Sequence, residues 1–435
     1  MKRVAWVTAV FLAILIGVYL SRSNSGGVLG PPAASEVFTE AEQAAIAKIR
    51  AFPGTLDVEE VSIAANKITL DQHELKLTVF GHSMTATMVR SEQVIPSDKM
   101  LSPDNLPVII WYGNLEPHAT VEPPNAKWQD PLNSITLVKH DDTVTGTIRQ
   151  GSALYQLRPL GRDRHLVIAL DSTKMPREEE PLDASASHAT PATKPTITLR
   201  SSVATIIDVM TVVPHKAIND YDGDLYALMQ LGVAMANQSY INSDIGIDMR
   251  LVGYQPTDYE PSSSPDLDLR RLRAPNDGFM DDSLVLRNDV YADVVLYIPY
   301  YDTIEICGRA QGNNVTAEDA FAYVNANCIP IYTLGHEIGH LQAARHQMAV
   351  DPTPTPYTFG HGYVFTAAGK DWTTIMGTRA EPPVAERLNL WSNPDLRYEG
   401  IPMGDPETAD NHRVLELTKE AVSKFRQRPD EPSSL

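Results

Sequence analysis

The chain has 435 residues, 43% of them hydrophobic and 21% charged, and a formal net charge of −19 at pH 7. That length exceeds one ordinary core and points to two domains with accessory segments, while the composition is globular rather than disordered or fibrous. The negative charge tells against nucleic acid or an anionic membrane surface as partner, and suits an exported protein kept dispersed by self-repulsion.

Residues 1–25 read as an export segment. Lys2 and Arg3 precede an almost unbroken apolar run over 4–20, whose length lies between a signal-peptide core and a minimal membrane span. The segment is either a cleaved signal peptide or a single N-terminal membrane anchor. In both cases the domains lie outside the cytoplasm, secreted, periplasmic or anchored.

Residues 36–172 read as a small β-rich domain. A short helix over 36–52 opens on a Thr39/Glu42 capping box and stops at Phe52-Pro53-Gly54. Alternating runs at 75–79, 108–112, 134–138 and 143–148, separated by Gly, Asn and Asp turns, predict antiparallel strands. Residues 173–198 are polar and Pro-rich without apolar period, which predicts a flexible, protease-accessible linker where maturation cleavage would fall.

Over 199–428 strands and helices alternate. Strands are expected at 203–213, 247–254 and 292–298, helices at 224–239, 267–273 and 281–288, and a short strand at 304–310 with Gly308 as a bulge. This order predicts an α/β fold on a twisted, mostly parallel sheet. The 304–310 strand would be its edge, to which an extended peptide could add by main-chain hydrogen bonds. Asp220-Tyr221-Asp222-Gly223-Asp224 lacks the glycine register and closing Glu of an EF-hand and reads as a helix N-cap cluster. A calcium ion elsewhere stays open, but no residue pattern indicates one. Residues 409–426 read as an amphipathic helix and 429–435 as a tail. The only two cysteines, Cys307 and Cys328, predict a disulfide in an exported protein, contributing ~3 kcal/mol for a loop of this size.

The chemistry concentrates at His336-Glu337-Ile338-Gly339-His340 and, downstream, His346. His336 and His340, one turn apart on a helix, project from the same face and can hold one Zn²⁺, with Glu337 between them placed to take a proton from water. His346 would complete three protein ligands and leave the fourth position open, as a catalytic zinc requires. Ile331, Leu334, Ile338 and Leu341 form an apolar stripe, so this helix packs against a core. Polar groups on such a helix are costly unless something satisfies them. A methionine on a tight turn follows in Trp372-Thr373-Thr374-Ile375-Met376-Gly377.

On these residues the chain resembles the metzincin metalloendopeptidases, and within them the secreted bacterial reprolysin-like and peptidyl-Asp group. Ala236-Asn237-Gln238-Ser239-Tyr240, Ser392-Asn393-Pro394-Asp395 and Ala409-Asp410-Asn411 look like the same group. The resemblance implies a metzincin-like zincin fold, His336, His340 and His346 as zinc ligands, Glu337 as general base and Met376 as the Met-turn residue beneath the metal. It also implies protein or peptide substrates, and a monomer is expected. Trp111-Tyr112-Gly113, Gly146-Thr147-Ile148, Tyr155-Gln156-Leu157-Arg158 and His165 look like the group's propeptide. No Cys precedes Cys307, so a cysteine switch is excluded, and latency would need a carboxylate ligand or steric cover. Asp141 and Asp142 offer carboxylates, although ordinary turn residues are the simpler reading.

Three positions depart from the family pattern: Ala343 where it has Gly, Gln347 where relatives carry an acid, and Thr378 where several have Tyr. Ala343 keeps open a zincin whose third ligand is a downstream carboxylate, Glu381 or Glu386. A catalytically inactive, zinc-holding envelope protein that binds peptides is the alternative of a different class.

Overall fold

The computed structural model describes residues 27–32, 38–96, 102–116, 125–161, 164–182, 204–301, 305–367, 369–378 and 384–427. The expected export segment, residues 183–198, Glu381 and the 429–435 tail lie outside the described residues.

The first domain is a closed barrel. Its strands are β1 (Leu29–Gly30), β2 (Thr55–Ile63), β3 (Glu74–Val79), β4 (His82–Val94), β5 (Val108–Leu115), β6 (Asn133–His140), β7 (Thr143–Gln150), β8 (Ala153–Leu160) and β9 (Arg164–Leu170), in the order β1-β2-β9-β8-β7-β6-β5-β4-β3. Neighbours are antiparallel except β1 and β3, whose parallel contact at Leu29 and Leu77 closes the ring. The alternating runs supply the inside, where Leu75, Leu77, Trp111, Leu137, Ile148 and Leu157 share one core. Closure goes beyond what the alternating runs imply, and it removes every strand edge that an open sheet of this size would expose. Helix α1 (Glu40–Ala51) carries both halves of the Thr39/Glu42 capping box.

The second domain is built on a six-stranded sheet of β10 (Arg177–Glu178), β11 (Thr205–Pro214), β12 (Ile247–Thr257), β13 (Val294–Tyr297), β14 (Ile306–Ala310) and β15 (Phe321–Val324), ordered β10-β14-β15-β13-β11-β12. Strands β12, β11, β13 and β15 run parallel, and β14 is antiparallel to β15. Helices cover both faces, which is why β13 reads as an unbroken apolar run, buried at all its residues. Short α2 (His215–Asp220) leads into α3 (Leu225–Asn242), which shares a core with α6 (Thr333–Leu341) and α7 (Asn411–Val422) on one face. Helices α4 (Pro265–Arg273) and α5 (Asp281–Asp289) pack on the other. The Asp224 side chain caps α3 by accepting from the Ala227 N–H at 2.8 Å, so the acidic cluster is a cap. Beyond α6 lie β16 (Val364–Ala367), β17 (Lys370–Thr373) and β18 (Glu386–Arg387) in one small sheet, then β19 (Asn393–Tyr398) and β20 (Ile401–Met403) in another.

The expected 173–198 linker needs correction over its first part. Residues 177–182 are not free chain: β10 adds parallel to β14, and the Glu179 and Leu182 N–H groups donate to the Gly308 and Ala310 carbonyls at 3.1 Å each. A stretch without apolar period is ordered here because a sheet edge satisfies its backbone and Arg387 neutralises its Glu178. The edge strand expected to be free is therefore covered by the chain's own strap.

The barrel docks through an apolar face. Val108, Ile110, Tyr112 and Val138 belong to the same core as Leu228, Leu231 and Met235 of α3. Polar contacts frame it: Arg149 of β7 donates to Glu386 at 3.0 Å and to the Arg387 carbonyl at 2.8 Å. His140 bonds Asp224 at 2.6 Å and Asp104 at 3.1 Å. Burial disfavours protonation of His140, but the two carboxylates outweigh it and its pKa is raised. This ion pair thus contributes fully below the unfolded-state pKa of about 6.5 and is lost as pH climbs through the higher folded value. Between roughly pH 6 and pH 9, the apparent melting temperature of the wild-type chain should fall more than that of His140→Asn; parallel curves would show that the contact carries no such linkage.

Candidate metal and active site

The site begins at the disulfide. Cys307 on β14 is bonded to Cys328, tying the edge strand to the 3-10 turn Ala326–Ile331 that precedes α6. Tyr332 (φ 69°) then redirects the chain into α6. Leu334, Ile338 and Leu341 point into the core, with Ile331 buried beside the disulfide. The opposite side of α6 is also enclosed, leaving His336, Glu337 and His340 buried in turn.

His336, His340 and His346 come together. The Nε2 atoms of His336 and His340 lie 3.0 Å and 3.1 Å from Nε2 of His346. Every Nδ1 is engaged outward: His336 with the Ile375 carbonyl at 2.7 Å, His340 with the Ala344 carbonyl at 2.9 Å, His346 with the Glu180 carboxylate at 2.6 Å. The carbonyl partners place the His336 and His340 protons on Nδ1 and leave the Nε2 atoms of those rings turned toward Nε2 of His346. Burial drives the His336 and His340 pKa values well below the ordinary range, keeping them neutral as metal ligands must be. Three buried ring nitrogens this close need a cation or a shared proton between them. Tetrahedral zinc with bonds of about 2.1 Å would space its nitrogens by about 3.4 Å, close to what these rings adopt. They are the one group of three or more metal-binding side chains found this close together among the described residues.

Glu337 is fully buried between the two helix histidines, and both carboxylate oxygens lack a protein partner. Burial, reinforced by Glu178, raises its pKa well above the carboxylate range against the pull of Arg387 and Arg309. An orphaned buried carboxylate beside converging imidazoles fits a site completed by a cation and water. Gly308 of β14 makes room for it, since a Cβ there would collide with Glu337 Oε1. Met376 lies under α6 at Gly339, where a Cβ would meet the Met376 sulfur at 2.7 Å and the Trp391 ring at 2.8 Å.

The departures from the family pattern have local explanations. Ala343 does sit at positive φ, 76°, where the chain leaves the helix for His346. Gln347 and Thr378 bond each other twice, Thr378 N–H to Gln347 Oε1 and Gln347 Nε2 to Thr378 Oγ1, both at 2.8 Å. They act as a pair joining the third-histidine loop to the turn after Met376. His361 Nδ1 adds a 2.9 Å bond to the His346 carbonyl.

The stretches 236–240, 392–395 and 409–411 brace the site rather than enter it. Ser239 accepts from Trp391 Nε1 at 2.7 Å, and Ser392 accepts from the Asn411 N–H at 2.8 Å. Glu386 is engaged by Arg149 and Lys370 and does not join the histidines. Asp141 and Asp142 lie in the exposed β6–β7 turn. Sequence reasoning missed Glu178, Glu180 and Arg387. Their signal was slight, an acidic triplet in a polar stretch and one arginine in an irregular segment.

Comparison with known proteins gives the frame for this geometry. Residues 226–347 match the model of the metallo-peptidase family M12B, reprolysin-like. A peptidyl-Asp metalloendopeptidase of Xanthomonas campestris pv. campestris is 38% identical over 90% of this chain and 91% of its own length. The chain belongs to the peptidyl-Asp metalloendopeptidase family. A relative of the same name from Stenotrophomonas maltophilia is 39% identical over 88% of this chain and 89% of its own. One from Pseudomonas fragi is 35% identical over 44% of this chain and 99% of its own. Metalloproteinase-II from Bacteroides fragilis overlays at a TM-score of 0.39, with 12% identity over 78% of this chain and 93% of its own, too loosely to carry an argument. The chain is a zinc metalloendopeptidase, a hydrolase acting on protein or peptide substrates.

At φ 76° an alanine bears strain of about 1–2 kcal/mol that glycine does not. Ala343→Gly should therefore raise stability by ~1 kcal/mol after loss of the methyl group, with zinc content unchanged, as read by denaturant unfolding beside metal analysis. A destabilised Ala343→Gly would show the turn to be unstrained.

Proposed function

We propose that this family member is an exported zinc endopeptidase, made as a precursor, with a metzincin-like catalytic domain over 199–428 and a propeptide over 36–172. His336, His340 and His346 would hold the zinc through Nε2, with Met376 beneath them. The observation that carries this reading is the set of three buried imidazoles, each with Nδ1 bound outward, around an unpartnered Glu337.

When bound, zinc supplies a Lewis acid that polarises the scissile carbonyl and acidifies a water. The chain's own residues do the rest. Glu337 takes the proton of the attacking water on its carboxylate and returns it to the leaving amine, its buried site making it basic enough to accept and acidic enough to give back. The main chain of β14 would align an extended substrate once the strap is gone. The relatives' name supports cleavage at aspartate, and we carry that preference to this chain.

The strap over β14 supports the precursor reading, since an edge already paired cannot take a substrate strand. The apolar run over 4–20, outside the described residues, supports export. Among the described residues, no helix is long and apolar enough to cross a membrane. The carboxylate-ligand variant of the site draws no support from Glu386, which Arg149 and Lys370 hold.

In zinc-loaded chain that cleaves an unfolded protein, Glu337→Ala should lower the rate by at least ~10²–10⁴-fold while zinc content stays at the wild-type level, and a chelator should abolish wild-type cleavage. Cleavage by Glu337→Ala at the wild-type rate would remove Glu337 from the role of base.

A further inference from the structure

The strap places a glutamate in a buried position beside the active-site helix. Glu178, opposite Gly308 in the β10–β14 pairing, sends its carboxylate between the active-site helix and the turn after Met376. There it meets Arg387 in a two-pronged pair, Nη1 to Oε1 at 2.7 Å and Nη2 to Oε2 at 3.0 Å, and accepts from Thr333 Oγ1 at 2.9 Å. Both charged side chains are almost wholly buried, at 0% and 1% exposure. The guanidinium is fixed from behind: it donates to the Gly377 carbonyl at 2.9 Å and the Ile331 carbonyl at 3.3 Å, while Arg149 of the barrel holds the Arg387 carbonyl at 2.8 Å.

The surroundings set this pair beside the base. Thr333 is one turn before Glu337 on α6, Gly377 follows Met376, and Gly308 is the strand residue level with the Glu337 carboxylate. An arginine locked with its fork toward a pocket beside the base matches a carboxylate in shape and charge. If the strap leaves, that cation stays buried and uncompensated, a state that favours any ligand returning a carboxylate to it.

We propose that Arg387 is the specificity residue of this peptidase, binding the acidic side chain of the residue flanking the scissile bond, and that Glu178 is the subsite's resident occupant while the strap is in place. The proposal rests on the acidic-substrate reading above and gives it a residue. It also gives latency a carboxylate from the strap, with Asp141 and Asp142 left as ordinary residues of an exposed turn. The strap covers the cleft along β14, anchored at one point by Glu178 in the Arg387 pocket and at another by Glu180 on His346 Nδ1.

The test uses zinc-loaded chain produced full-length and brought to its strap-released, active form, as judged by cleavage of an unfolded protein, with two peptides identical but for Asp or Asn at the candidate position. Wild type should prefer Asp by on the order of 10²-fold in kcat/KM, because an amide leaves the fork half-unsatisfied. In Arg387→Met paired with Glu178→Met, which removes both buried charges together, that ratio should fall to within about tenfold. If the double variant does not fold, Arg387→Lys, which keeps the charge but loses the fork, should still reduce the ratio several-fold. Undiminished Asp preference in a folded variant overturns the proposal alone, whereas a wild type indifferent to Asp and Asn overturns the acidic-substrate reading with it. A folded variant that cleaves neither peptide overturns the assignment in favour of a group needed in every turnover. For the strap, intact Glu178→Gln chain should cleave the Asp peptide at least several-fold faster than intact wild type, with chain length followed by electrophoresis. Equal rates would remove Glu178 from the subsite.

Discussion

Everything at the catalytic end of this protein depends on keeping three imidazoles buried and aimed at one point. No single element can do that. The helix supplies two rings at one-turn spacing; the third must come from a chain that reverses sharply, and Ala343 at φ 76° makes that reversal. The aim of two rings is then fixed from outside by the Ile375 carbonyl of the methionine turn and the Ala344 carbonyl of the reversal, and that of the third, while the strap is in place, by Glu180. The positions of β17, the turn at Met376 and the braces through Trp391 and Ser392 follow from that requirement.

The second constraint is the edge of the sheet. Strand β14 is pinned by the disulfide, carries Gly308 so that Glu337 fits beside it, and presents main-chain groups outward. Any extended peptide can use such an edge, the chain's own included. Covering it with residues 177–182 solves the problem of an exposed edge and, on the reading advanced above, of premature activity. The barrel is tied into the arrangement through Arg149, which grips the strand that carries Arg387. Its apolar face shared with α3 also means that release of the barrel would uncover hydrophobic surface.

Much of this was legible from residue order. Period-two alternation marks the barrel strands, the Thr39/Glu42 box marks α1, and the change to alternating strand and helix marks the second domain. The histidine spacing and the apolar stripe place α6 and two of the rings without reference to fold. What stayed hidden depends on tertiary partners. A polar segment such as Arg177-Glu178-Glu179-Glu180 looks unstructured because its stabilisation comes from β14 and Arg387, far away in sequence. Gln347 and Thr378 each look like a lapse when read alone; together they are one hydrogen-bonded pair. Closure of the barrel depends on a two-residue strand too short to carry a pattern.

The third imidazole separates this ligand set from one using a downstream carboxylate, since Ala343 stands at the reversal that leads to it. The direct measurement is the zinc affinity of His346→Ala beside wild type and Glu386→Ala, by competition with a chromogenic chelator. The account predicts that His346→Ala loses stoichiometric zinc while Glu386→Ala keeps it. Wild-type affinity in His346→Ala, or loss of zinc in a folded Glu386→Ala, would contradict it.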